Sequence, residues 1–294
     1  MSQYQRLLLM INPALRHSSA INHAAALARA SGASLHIAAL IPPIKGLSML
    51  EAGNQGKIRK HSLQANRNWL QVQVENLRGR GIEVTMEVAW ADDMKQDIID
   101  HVTQMQPDLL IKQIQRESAL KRAFFTAFDW YLLRHCPVPV YLVGGSSFLR
   151  PRKVVAAVEV SDIESADNEL NDLIIKQARS LAMQCNAELH LLYACDISAA
   201  YLADFGSFTL AELTKSLRTD LEKSFLRLAG QCGVPSDLRH FIEGHPVRVL
   251  SEFAHEHHVD VIVMGKVQSR GVGKLLGSTT EHILYQVPCC VLAV

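Results

Sequence analysis

The feature that most limits the fold of this chain is that it repeats itself. GASLHIAAL at 32–40 is echoed by NAELHLLYA at 186–194, 154 positions later. PDLLIKQI (107–114) is echoed by VDVIVMGK (259–266) at 152, HCPVPVYLV (135–143) by QVPCCVLAV (286–294) at 151, and LLLMIN (7–12) by VVAAVE (154–159) at 147. Four matches in one order at nearly constant spacing define a tandem duplication. The join falls at GGSSFLRPR, 144–152, whose glycines, serines and proline suit a linker. Two domains are expected, 1–144 and 153–294.

Each half alternates strand and helix. VVAAVEV is a continuous apolar run, the mark of a strand covered on both faces. Leu170, Leu173, Ile174, Ala178 and Leu181 recur at helical spacing and predict a helix over about 166–186. ELHLLYA is the next strand; a helix at 209–230, a break at Gly233 and Pro235, strand LRHFIEG, helix 246–258, strand DVIVMG, a helix near 278–287 and strand CVLAV complete the unit. Such βαβ alternation gives a mostly parallel sheet with right-handed crossovers. Ligands bind such sheets at the carboxyl ends of the strands, where the strand order reverses. That singles out the loops after Asn12, Leu40 and Lys112 in the first half and after Glu159, Ala194 and Gly265 in the second.

Composition narrows the function. Lys plus Arg number 30 against 29 Asp plus Glu, a net charge of +1, which gives no electrostatic reason for nucleic acid or an anionic membrane as partner. The apolar run near the amino terminus is too short for a signal segment or a span, and a cytoplasmic location is expected. The six cysteines form no CxxC pair and read as small core residues in a reducing compartment. HEHH at 255–258 lacks the i, i+4 histidine spacing of a zinc-binding helix. No metal site, catalytic triad or carboxylate pair with acid–base spacing is expected. KIRKH at 57–61 reads as a solvated helix face and His245 as a turn residue near the ligand mouth.

Met-Gly ending the fourth strand and a glycine-rich stretch closing on Gly-Ser-Thr, MGKVQSRGVGKLLGST at 264–279, resemble the universal stress protein family, over nearly the whole chain and twice. FFTAFDWYLLRHCPVPVYLV at 124–143 is similar to the tandem-domain members of the E type. The resemblance implies two adenine nucleotide alpha hydrolase-like, Rossmann-like α/β domains, each a five-stranded parallel sheet with four helices. It also implies an internal pseudo-dimer made by pairing of the fifth strands.

In the family's nucleotide binders the pattern G-x2-G-x9-G-[ST] follows the fourth strand, and its last residues open a helix whose free N–H groups favour phosphate. Gly265 matches the first glycine, and Gly277 with Ser278 matches the last pair. Position 268 is Gln268, and the segment to Gly277 is one residue short. Gly271 and Gly273 partly compensate. The ligand site implied in the second half comprises Glu159, Val160, Ser161, Ala194, Met264, Gly265, Lys266, Gln268, Gly271, Gly273, Gly277, Ser278 and Thr279. Glu159 stands where nucleotide binders carry an aspartate beside adenine and ribose; it is either such a contact or a solvated carboxylate. ATP or another adenine nucleotide is the candidate cofactor, in the second half only.

The first half has Asn12-Pro13 at that strand end and no glycine between Lys112 and Trp130, so it should not bind ATP in the family's manner. Lys112, Arg116, Lys121 and Arg122 there are either anion contacts or solvated side chains. The expected function is a non-catalytic stress-response protein that binds a small ligand and acts through protein partners, with homodimerisation open. The alternative is a weak ATPase or nucleotide phosphotransferase using the second glycine-rich loop.

Overall fold

Apolar runs without polar alternation become parallel strands with both faces covered; the computed structural model has five parallel strands in each half, the edge strands at Val84–Trp90 and Arg239–Glu243 being only partly covered. It describes all residues except 1–3, 14–18, 45, 117–122, 125–126, 145–147, 161–165, 198–209 and 267–286. The chain divides into two units: the first includes Met1–Arg116 and Phe124–Gly144, the second Gly145–Val294.

Unit 1 contains β1 (Arg6–Ile11), α1 (Ala20–Ser31), β2 (Ser34–Ile41), α2 (Ala52–Gly79), β3 (Val84–Trp90), α3 (Met94–Met105), β4 (Leu109–Gln113), α4 (Ala127–His135) and β5 (Val140–Val143). Its strands run in the order β3-β2-β1-β4-β5, all neighbours parallel. Leu8 and Leu9 of β1 and Leu109, Leu110 and Ile111 of β4 are completely buried. KIRKH lies on an exposed stretch of α2.

Unit 2 repeats the plan with β6 (Lys153–Ala157), α5 (Ala166–Cys185), β7 (Glu188–Cys195), α6 (Leu210–Gln231), β8 (Arg239–Glu243), α7 (Pro246–Glu256), β9 (Val261–Met264) and β10 (Cys290–Ala293), in the order β8-β7-β6-β9-β10. The helix expected near 278–287 falls outside the described residues, apart from Val287. Among the described residues, no helix is long and apolar enough to cross a membrane.

The duplication extends to hydrogen bonds. In unit 1 the Asp108 carboxylate, just before β4, accepts from the backbone N–H groups of Gln5 and Arg6 at 2.7 and 2.8 Å. In unit 2 Asp260, 152 positions on, accepts from those of Arg152 and Lys153 at 2.8 and 3.2 Å. Each aspartate ties the start of the first strand to the start of the fourth. The turn after the first helix repeats as well: Gly32 at φ 72° and Asn186 at φ 52° both end their helices in the left-handed region.

Candidate functional site

In each unit the chain leaves its first strand toward one edge of the sheet and returns to build the fourth strand on the other side. The reversal lies between β1 and β4 in unit 1 and between β6 and β9 in unit 2, and it opens a crevice at the strand ends.

In unit 2, β6 ends at Ala157, opposite Leu192, and Val158 donates one more hydrogen bond to the Leu192 carbonyl at 3.0 Å. The strand therefore stops two residues before Glu159, where its backbone leaves the sheet for a side chain. Asn171, buried in α5, accepts from the Glu159 N–H at 3.0 Å and donates to the Glu159 carbonyl at 2.5 Å. A carboxamide that reads both the N–H and the C=O of one residue fixes that residue's direction, much as a neighbouring strand would. The side chain of Glu159 is exposed. Its carboxylate accepts from the N–H of Val160 at 2.9 Å, and its charge acts on the hydroxyl of Tyr193, on β7.

Burial first, then the neighbouring Glu159 charge, hold the Tyr193 hydroxyl well above the usual phenol range. Its ring packs with Phe225 and Phe241 at centroid distances of 6.3 and 5.6 Å. The opposite lip is formed by β9. The register sets Val263 against Ala156, which places Met264 level with the end of β6 and carries Gly265 and Lys266 past it. A Cβ on Gly265 would lie 2.8 Å from Cδ2 and 3.2 Å from Cγ of Leu170. A larger residue here must displace the Leu170 side chain, because α5 lies close to the chain as it leaves the strand.

Of the residues assigned to this site from sequence, Glu159, Val160, Ala194, Met264, Gly265 and Lys266 are described, at the ends of β6, β7 and β9. Val160, Ala194 and Met264 are buried, whereas Gly265 and Lys266 are half-buried. Ser161, Gln268, Gly271, Gly273, Gly277, Ser278 and Thr279 lie outside the described residues. Asn171 and Tyr193 were missed. One is a polar residue on a helix that reads as amphipathic and the other an aromatic inside an apolar strand, so neither signals its role locally.

At the matching strand reversal of unit 1 the described side chains are engaged by the chain itself. Gln113 stands where unit 2 has Gly265, and its carboxamide oxygen accepts from the Ser19 hydroxyl at 2.9 Å and the Ala20 N–H at 3.0 Å. It thereby occupies the N-terminus of α1, an end that would otherwise attract an anion. Lys112 forms an ion pair with Asp129, a fully buried residue in the first turn of α4. Lys112 is thus neither an open anion contact nor a solvated side chain. Its partner is a carboxylate of the chain itself, set near a helix N-terminus where negative charge is favoured. Nothing is described of the side chains of Arg116, Lys121 and Arg122.

Elsewhere the sequence reading of the polar clusters is met. His255, Glu256, His257 and His258 are all exposed at the end of α7, and His245 is an exposed residue preceding that helix. The cysteines are free thiols, five of them buried. Burial pushes Cys185 and Cys195 up to about 11, the behaviour of packing residues rather than nucleophiles.

The repeated five-stranded parallel unit with its crevice at the strand reversal matches the model of the universal stress protein family over residues 3–144 and again over 152–294. The chain belongs to that family, as a tandem-domain member and a stress-response protein. It is similar to universal stress protein E of Photorhabdus laumondii, 29% identical with all of this chain and 96% of the relative covered. It is also similar to that of Escherichia coli K12, 25% identical with 100% and 95% covered. A functionally unknown protein from Pseudomonas aeruginosa PAO1 has the same fold (TM-score 0.73, 23% identity, 100% and 93% covered). So does a universal stress protein from Archaeoglobus fulgidus (TM-score 0.67, 18% identity, 100% and 98% covered).

Proposed function

We propose that this chain is a non-catalytic binding protein of the stress response, acting in the cytoplasm through protein partners, and that unit 2 holds a small anionic ligand of the adenine nucleotide class. The observation that carries the reading is the exposed Glu159 carboxylate, on a backbone locked by Asn171 at the strand reversal. A carboxylate offers about four acceptor positions, which suits it to ribose hydroxyls in addition to Val160. The anionic end of the ligand would lie toward Gly277, Ser278 and Thr279, which match the end of the family's phosphate pattern. Family membership and the internal contacts of Gln113 and Lys112 in unit 1 support placing the ligand in unit 2 alone.

Binding without turnover is favoured by the state of the titratable groups. Burial and the neighbouring Glu159 charge hold the Tyr193 hydroxyl well above the usual phenol range. A proton shuttle needs a group that titrates near the working pH, and Tyr193 is moved away from it.

The test is native mass spectrometry of the purified chain followed by calorimetric titration with ATP. A co-purifying adenine nucleotide, or ATP binding weakened roughly 10- to 100-fold by Glu159→Ala and abolished by Gly277→Val, is the expected result. ATP affinity indifferent to both substitutions removes the site. Steady phosphate release from ATP, lost in Gly277→Val, overturns the non-catalytic reading.

A further inference from the structure

A second constellation lies away from the crevice, on one face of the unit 1 sheet. The β2–β3 register pairs His36 with Thr85 and Ala38 with Glu87. Side chains alternate along a strand, so Thr85 and Glu87 point to one face, and His36 stands diagonally across from Glu87 on it. His101, from α3, completes the group. The imidazole rings of His36 and His101 have centroids 5.5 Å apart, and His101 Nδ1 is 3.8 Å from Glu87 Oε2. One ligand-capable atom from each of the three residues lies within 4.8 Å of the other two.

The hydrogen bonding is incomplete in a telling way. His36 Nδ1 is 2.7 Å from the Thr85 hydroxyl, whereas Nε2 of His36 and Nε2 of His101 are both buried without a hydrogen-bond partner. Buried imidazole nitrogens without partners are costly. When Nδ1–H of His36 donates to Thr85, its Nε2 carries a lone pair aimed at nothing in the protein. A ring held at one nitrogen so that the other presents a lone pair is the usual arrangement of a metal-bound histidine. Burial and then the neighbouring His101 lower the proton affinity of His36, which keeps it in the neutral form that ligates.

We propose that His36, Glu87 and His101 form a three-ligand site for a divalent transition-metal ion of the zinc type, with a fourth position open to solvent. Two imidazoles with one carboxylate suit such an ion better than calcium or magnesium, which take oxygen ligands. Metal–ligand bonds of about 2.0–2.2 Å set tetrahedral ligand atoms ~3.3 Å apart. The present separations, within 4.8 Å, close to that with a swing of the Glu87 carboxylate, whose side chain is 48% exposed, and a small turn of the two rings toward each other. The corresponding face of unit 2 is closed to the same chemistry. There His190 Nδ1 and His240 Nε2 hydrogen-bond each other at 2.9 Å, and His190 Nε2 lies 3.4 Å from Glu188.

The experiment is a titration of the full chain, stripped with chelator, with Co2+ alone, followed by visible absorption and back-titration with Zn2+. The expected result is one equivalent of Co2+ showing the intense d–d bands of a four-coordinate ion, displaced by Zn2+, together with a rise in Tm on adding Zn2+. His36→Ala and His101→Ala should abolish the bands. Glu87→Gln, at a half-exposed side chain that folding tolerates, should weaken binding at least tenfold with an unchanged circular dichroism spectrum. His190→Ala and His257→Ala should leave the bands intact. Absence of the bands in the unmodified chain, or their survival in the Glu87→Gln variant at undiminished affinity, overturns the proposal. So does their loss on His190→Ala or His257→Ala, which would move the ion to unit 2.

Discussion

Units 1 and 2 share strand order, helix ends and the aspartate that ties the first strand to the fourth, yet they equip the same two places in opposite ways. At the strand reversal, unit 1 puts Gln113 into the N-terminus of α1 and buries the Lys112–Asp129 pair, while unit 2 has Gly265 and the exposed Glu159. On the sheet face the roles exchange. Unit 2 closes His190 on His240 at 2.9 Å, while unit 1 leaves two imidazole nitrogens unmet beside Glu87. A duplicated fold needs its core twice but its sites only once. Each copy can therefore fill with internal contacts the place that the other keeps open.

The largest effect that would test this contrast is expected at the unit 1 crevice. Asp129 is fully buried and Lys112 nearly so, so Lys112→Met takes the cation away from a buried carboxylate. Removing one partner of a buried ion pair costs about 3–5 kcal/mol. Chemical denaturation should show a loss of that size, and Lys112→Met with Asp129→Leu should recover most of it. ATP binding should be untouched throughout, because the pair belongs to the scaffold of unit 1. A loss below about 1 kcal/mol would place the pair among weak surface bridges and remove the contrast between the units at the strand reversal.

Next in size is Gly265→Val. The added side chain meets Leu170, whose Cδ2 is 2.8 Å from the position of a Cβ. Overpacking of this kind costs about 1–3 kcal/mol. Leu170→Ala should relieve it, so the double variant should be more stable than the sum of the single changes. Strict additivity would show that Gly265 is glycine for the ligand's sake alone. The same substitution then sharpens the comparison, since position 113 in unit 1 already carries the larger Gln.

These pairs also show what the sequence could and could not disclose. The apolar runs and their repetition at 147 to 154 positions were enough to place strands and helices, because burial on both faces leaves a continuous signature. Gly265 and Glu159 were legible through their place at strand ends. The partnership of Lys112 with Asp129 was not: the two are 17 residues apart, and a lysine near other basic residues reads as a solvated face. Asn171 likewise acts on a residue 12 positions away. The His36, Glu87 and His101 group has no spacing to find at all. Its members come from two strands and a helix, brought together by the β2–β3 register and the packing of α3 rather than by a local motif.

The smallest expected effect tests the closed histidine pair of unit 2. Burial, then His190 and His257, lower His240 from 6.5 to about 4, so the folded chain holds that ring neutral where the unfolded chain protonates it. The unfolded state binds more protons between those two values, and stability therefore falls as pH drops from 6.5 toward 4 and levels off below. His240→Gln keeps a polar atom opposite His190 but cannot take up a proton there. Its Tm measured across that window should fall less steeply than that of the unmodified chain, with the two curves parallel above pH 7. Burial also lowers His190 and His36, so part of the slope must remain in the variant. In unit 1 that remainder responds to metal: Zn2+ held by His36 competes with protons, so saturating Zn2+ should make unit 1 more acid-sensitive as the ion is released, while the contribution of His240 stays unchanged. Identical slopes with and without His240 would mean that the unit 2 pair opens to water as freely as an exposed imidazole, and the contrast between a closed and an open cluster would fail at that face.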